Sequence, residues 1–167
     1  RRRIRSIAGP GQGCLHGGAV GVASDGHQLG VQIHLHIVDA GEGAKRLANL
    51  ADAALEATLD FLMDEAAREG KLAQGVEQAS AANSGLAIFA LGKHGGQELN
   101  YSSDIDIVAF YDPMVAVLPE DADHNKFYVR IIRRLVSIMQ DRTADGYVFR
   151  TDVRLRPDPG STPVAIS

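Results

Sequence analysis

From Ala44 onward apolar residues recur at helical spacing. In "AKRLANLADAALEATLDFLMDEAAREGKL", Leu47, Leu50, Ala54, Leu55, Leu59, Leu62 and Ala66 fall to one side, and Asn49, Asp52, Glu56 and Asp60 to the other. The spacing predicts one long amphipathic helix of about eight turns, with Gly70 as its end signal. "AQGVEQASAANSG" has no period and reads as a polar linker. "LAIFAL" is a short continuous apolar run, the pattern of a buried strand. "GKHGGQELNYSS" reads as a loop, and "IDIVAFY" as a second strand closed by Asp112-Pro113. A second helix follows "LPEDADHN". Its apolar stripe is Phe127, Ile131, Leu135, Ile138 and Met139, with Arg130, Arg133 and Arg134 largely off it. "YVFRTDVRL" then alternates: Tyr147, Phe149, Thr151, Val153 and Leu155 against Arg150, Asp152 and Arg154. That is the period of a third strand. The tail "RPDPGSTPVAIS" is rich in Pro and Gly and reads as irregular. The order helix, strand, strand, helix, strand is α+β, a small sheet with helices packed on it.

Residues 1–43 read differently. They hold four of the six His, and "GPGQGC" and "HGGAVG" are breaker clusters. Only "GVQIHLHIV" alternates. His34 and His36 there would share a strand face, as metal ligands or as plain strand residues. "GPGQGC" has glycines but neither the strand before nor the helix after that a phosphate loop needs. The expectation is two segments: 1–43 irregular or disordered and without function, and 44–167 a folded core. Because glycine raises the entropy cost of ordering, 1–43 should be the protease-sensitive part.

Composition narrows the partners. The chain has 167 residues, enough for one domain with a real core. A net charge of -4 and an aromatic content of 5% argue against a nucleic-acid partner. The single cysteine, Cys14, forms no internal disulfide, which points to a reducing cytoplasm. No apolar run reaches the roughly 18 residues of a membrane span, so no membrane partner is expected. The chain begins without Met and stops soon after the third strand, and is expected to be a fragment.

The chemistry sits at the head of the second strand. Asp104 and Asp106 are two apart, so on an extended chain their carboxylates project together. Like charges so placed need a cation, and a hard divalent ion such as Mg²⁺ takes oxygen ligands and shares them with phosphates. Asp152 adds a third carboxylate, flanked by Arg150 and Arg154. If the strands are neighbours, the three carboxylates should lie about 4–8 Å apart, suited to two metals and an in-line attack on phosphorus. "LGKHGG" follows a strand, where backbone N–H groups can cradle phosphate oxygens. It is not a Walker P-loop, because His94 follows Lys93. A glycine pair, a short spacer and Asp-x-Asp on a strand is the nucleotidyltransferase arrangement. Each part alone has an ordinary explanation: a solvated strand end, a turn, surface ion pairs. Their combination carries the reading.

"GKHGGQELNYSSDIDIVAFYD" resembles the signature of the glutamine synthetase adenylyltransferase/adenylyl-removing family, read G-K-L-G-G-x-E-L-N-[YF]-S-S-D-I-D-L. "ADGYVFRTDVRLRPDPGSTPVAIS" resembles its second signature, built on D-x-R-L-R-P. The resemblance covers roughly residues 44–167. It implies a nucleotidyltransferase fold of the DNA polymerase beta-like kind, with a small mixed sheet. It also implies a longer bifunctional enzyme of the cytoplasm. One half transfers AMP from ATP to a tyrosine of glutamine synthetase; the other removes it with phosphate, releasing ADP. A PII nitrogen-signalling protein sets the direction. "ELNYSSDID" with "RLRPDPGS" is more like the adenylyl-removing half. By motif, Asp104, Asp106 and Asp152 would be catalytic and bind Mg²⁺. Gly92, Gly95, Gly96 and Ser103 would form the phosphate-facing loop, and Arg154 and Arg156 would contact phosphate or AMP. His94 stands where Leu is usual and Gln97 where Arg is common, with little change expected from either. Residues 1–43 lack the helices the family pattern continues here and are expected to be foreign to the family, and the fragment is expected to be inactive alone. The competing readings are a nucleotidyltransferase acting on nucleic acid and a non-catalytic regulatory module.

Overall fold

A computed structural model gives the architecture. It describes residues 5–6, 39–76, 79–115, 117–155, 158 and 160–167. The "GVQIHLHIV" strand with His34 and His36, Cys14, and Arg156 lie outside the described residues.

The element order is β1 (Arg5–Ser6), α1 (Ala40–Arg68), β2 (Leu86–Leu91), α2 (Gly92–Gly95), β3 (Ile105–Tyr111), α3 (His124–Gln140), β4 (Thr151–Asp152) and β5 (Ala165–Ile166). The long helix begins at Ala40, four residues ahead of the expected start, where the Asp39 carboxylate accepts from the Gly41 N–H at 3.4 Å. It ends as its glycine signalled. Gly70 takes φ +68° and donates to the Ala67 carbonyl, and Lys71 donates to that of Ala66. The buried stripe is Ala48, Ala51, Leu55, Leu59, Leu62, Met63 and Ala66. Leu47 and Ala54 are half-buried beside it, but Leu50 is 56% exposed and does not belong to the stripe. α3 starts on Asp123, whose carboxylate accepts from the Lys126 N–H at 2.9 Å. It buries Phe127, Tyr128, Ile131, Ile132, Leu135 and Met139, with Ile138 at the margin.

The sheet is mixed. β2 and β3 form an antiparallel ladder from Leu86↔Tyr111 to Leu91↔Asp106, and β1 pairs parallel with β2. β4 and β5 both pair parallel with β3. The alternation of β2 and β3 decides which face is buried. Leu86, Ile88, Ile105, Ile107, Ala109 and Tyr111 join one core with the stripes of α1 and α3. Ala87, Phe89, Leu91, Asp106 and Phe110 lie on the other face, where Phe89 and Phe110 meet edge to face at 5.6 Å. Tyr128 fastens α3 to the start of β2. It is fully buried, stacks on Tyr111 at 4.6 Å and donates to the Ser84 carbonyl at 2.7 Å.

Three expectations need correction. The third strand is not 147–155 but only Thr151–Asp152. Val148 and Phe149 donate their N–H groups to the Met139 carbonyl at the end of α3, and Arg154 donates back to the Asp152 carboxylate. The N–H groups of Val148, Phe149 and Arg154 are thus engaged away from β3, which keeps the ladder short. The stretch Gly92–Gly95 is a helical turn rather than loop. The tail is not wholly irregular, since Ala165 is buried and pairs with Ala109. No helix among the described residues is long and apolar enough to cross a membrane.

Candidate active site

Register brings two of the predicted carboxylates side by side. Ile105 pairs with Thr151 and Asp106 with Asp152, in parallel. Ile105 and Thr151 are buried, so Asp106 and Asp152 occupy the opposite, open face of adjacent strands. Asp104, two residues before Asp106, leads into the same edge. Asp106 feels the crowding: its carboxyl is held above the ordinary 3.8, first by burial, then by the charges of Asp152 and Asp104.

The two outer carboxylates are engaged by arginines. Arg150 Nε lies 2.6 Å from Asp104 Oδ1, and its Nη2 donates to the Ser102 carbonyl at 2.5 Å. Arg154 Nε reaches both Asp152 oxygens at 3.0 Å and its Nη2 reaches Oδ2 at 2.5 Å. That hydrogen bond first, then the charges of Asp152, Asp104 and Asp106, raise the Arg154 pKa further above its ordinary value. With the carboxylates so turned, no three His, Cys, Asp or Glu side chains among the described residues are grouped to hold a metal.

The glycines of the turn differ in role. Gly92 takes φ +54°, and a Cβ there would stand 2.7 Å from Asp106 Oδ2. Only a residue without a side chain lets the Asp106 carboxylate sit against this turn. Gly95 is buried within the turn. Gly96 donates its N–H to the Gly92 carbonyl at 2.9 Å, so that N–H is engaged internally. Ser103 donates its hydroxyl to Asn100 Oδ1 at 2.9 Å, and Ser102 donates to the same oxygen at 3.2 Å. The Asn100 side chain thereby shapes the approach to Asp104.

Three residues make contacts around the site that were not visible in the sequence. His94 is 2% exposed, and its Nε2 lies 2.8 Å from Asp52 Oδ1 on α1. The pair ties the glycine turn to the long helix, while His94 Nδ1 is buried without a partner. Asp52 read only as a polar-face residue, and nothing in the spacing linked it to a histidine 42 positions away. Arg150 read as a surface ion pair; it is one, but with a site carboxylate.

The donor set fits a hard divalent cation. All three acidic side chains offer oxygen, Asp106 and Asp152 share one face, and burial with the charges of Asp152 and Asp104 holds the Asp106 carboxyl above its ordinary range against the smaller opposing pull of His94 and Arg154. Asp104 and Asp152 would have to turn from their arginines to complete such a site.

Residues 25–167 match the glutamate-ammonia ligase adenylyltransferase family. The chain belongs to that family. It is 50% identical over 130 residues to the bifunctional glutamine synthetase adenylyltransferase/adenylyl-removing enzyme of Agrobacterium fabrum, covering 78% of this chain and 13% of that protein. It is 54% identical over 121 residues to the same-named protein of Xanthobacter autotrophicus, covering 72% of this chain and 12% of that one. The Rhizobium meliloti protein of that name is 49% identical over 120 residues, 72% of this chain and 12% of its own length. The chain thus spans about an eighth of the curated adenylyltransferases it matches.

Proposed function

We propose that residues 44–167 form the catalytic core of a nucleotidyltransferase that removes AMP from a tyrosine of glutamine synthetase by phosphorolysis, giving ADP. The observation that carries the proposal is the register of β3 and β4, which sets Asp106 beside Asp152 on the open face with Asp104 at its edge. The fold proposed is the DNA polymerase beta-like nucleotidyltransferase fold, and the sheet-and-helix arrangement supports it. The adenylyl-removing direction rests on "ELNYSSDID" and "RLRPDPGS". PII as the directing partner and the cytoplasm as the setting belong to the same reading.

In this reading Asp104, Asp106 and Asp152 would hold Mg²⁺, two ions in all. Mg²⁺ held there would supply positive charge to offset that developing on the transferring phosphoryl group. Asp106 would be the central ligand, because it pairs with Asp152, feels the charges of both Asp152 and Asp104, and sits against Gly92. Asp152 orients the attacking oxygen of inorganic phosphate. As that oxygen bonds to the phosphorus of AMP, the bond to the tyrosine oxygen breaks and ADP leaves. Arg154 draws the phosphate in as a fork of N–H donors. Gly92 keeps the approach to Asp106 open.

The test is incubation of adenylylated glutamine synthetase with phosphate, Mg²⁺ and either this chain or the full-length enzyme. ADP release by the full-length enzyme, lost on Asp106→Asn, is the expected result. Unchanged ADP release by that variant would overturn the assignment.

A further inference from the structure

Arg150 joins two parts of the site. From the loop before β4, its guanidinium holds Asp104 at 2.6 Å and the Ser102 carbonyl at 2.5 Å, both in the loop leading into β3. Its own carbonyl accepts the Ile105 N–H at 2.9 Å, so its backbone is tied to the first residue of β3. The ion pair is about half exposed, 53% for Arg150 and 47% for Asp104. Such a pair is weak and readily exchanged.

We propose that Arg150 is a phosphate-binding residue controlled by exchange: a divalent cation takes Asp104 from it, and the freed guanidinium then binds the incoming phosphate. This rests on the metal reading of Asp104 given above. A dication outcompetes a guanidinium for an exposed carboxylate because it brings twice the charge to hard oxygen ligands. Once released, Arg150 has no carboxylate partner, while its backbone tie to Ile105 keeps it beside the site. Its planar fork of donors matches a phosphate oxygen pair. Cation and phosphate therefore bind cooperatively, and by linkage each raises the affinity of the other by the same factor.

The experiment measures Mn²⁺ and inorganic phosphate binding to this chain by calorimetry, each alone and with the other present. The wild type is compared with Arg150→Gln, Arg150→Lys and Arg133→Gln. Arg133 is exposed on α3 and outside the site, so its variant removes one positive charge elsewhere. Arg150→Gln should bind Mn²⁺ alone about two- to fivefold tighter, the worth of an exposed ion pair. With Mn²⁺ present it should bind phosphate about tenfold more weakly, the worth of a charge-assisted hydrogen bond. The coupling factor between the two ligands should fall towards one. Arg150→Lys, which keeps the charge but not the fork, should lose part of the coupling, and Arg133→Gln should keep all of it. If Arg150→Gln retains wild-type coupling, or matches Arg133→Gln throughout, the exchange is wrong while the metal site stands. If the wild type binds no Mn²⁺, the metal reading itself fails and the exchange with it.

Discussion

Asp106 carries the sharpest conflict between folding and chemistry in the molecule. Burial and two neighbouring carboxylates hold its pKa above the ordinary 3.8. The folded state therefore binds its proton more tightly than the unfolded chain does. Without Mg²⁺, stability from this group is lost as pH rises from about the ordinary value through the raised one. Asp106→Asn removes the effect with little change in shape. In Mg²⁺-free buffer the variant should melt no earlier than wild type near neutral pH, and the difference should shrink below the titration window. The Mg²⁺-induced rise in melting temperature should be smaller, because an amide oxygen is a weaker ligand. AMP removal in the full-length enzyme should fall by two or more decades. An early-melting variant with normal turnover of its folded fraction would make Asp106 a structural residue. Gly92 gives a complementary case. An alanine there must adopt φ +54° and push against the far end of the Asp106 side chain. The backbone strain costs about 1–2 kcal/mol, a modest loss in thermal denaturation. Displacement of the carboxylate should cost more in function than in stability, and Mn²⁺ titration of Gly92→Ala should show clearly weaker binding.

The elements that were legible in the sequence are those with enough residues to show a period. α1 and α3 were visible as stripes, and β2 and β3 as short apolar runs. The pairs β1 and β5 are two residues each and have no period to show. β4 was overread because its alternation continues through Tyr147 and Leu155, which are exposed. The motif aspartates Asp104 and Asp106 were legible as neighbours from their spacing, although Asp104 lies just ahead of β3 rather than on it. The grip of Arg150 on Asp104 and of Asp52 on His94 was not, since both are contacts across the fold. The second of these fixes one element to another: α2 is held to α1 through a histidine that has almost no access to solvent. Asp52→Ala should cost about 1–3 kcal/mol, because it leaves His94 Nε2 buried without its partner. His94→Leu removes both buried ring nitrogens at once and should cost less. The double variant Asp52→Ala/His94→Leu should fall well short of the sum, and chemical denaturation of all four proteins gives the coupling directly.

At the scale of the whole molecule, the packed core and the proposed site occupy opposite faces of one sheet. The face bearing Ile105, Ile107 and Ala109 is closed by α1 and α3, while the face bearing Asp106 and Asp152 is open. The backbone alternation of β3 alone enforces the division, because neighbouring residues cannot share a face. Stability should therefore be adjustable from the helix side without disturbing the site. Leu135 on α3 is fully buried in the core and has no role on the open face. Leu135→Ala should destabilise by about 2–5 kcal/mol through lost transfer energy and the cavity left behind. At temperatures where the variant remains folded, its Mn²⁺ affinity should match wild type, because the β3–β4 register that places the carboxylates is backbone pairing. Arg150→Gln should show the reverse pattern, a changed affinity with an almost unchanged melting temperature. If Leu135→Ala weakens Mn²⁺ binding in proportion to its loss of stability, the sheet is not rigid enough to insulate one face from the other, and the carboxylates depend on core packing as well as on register.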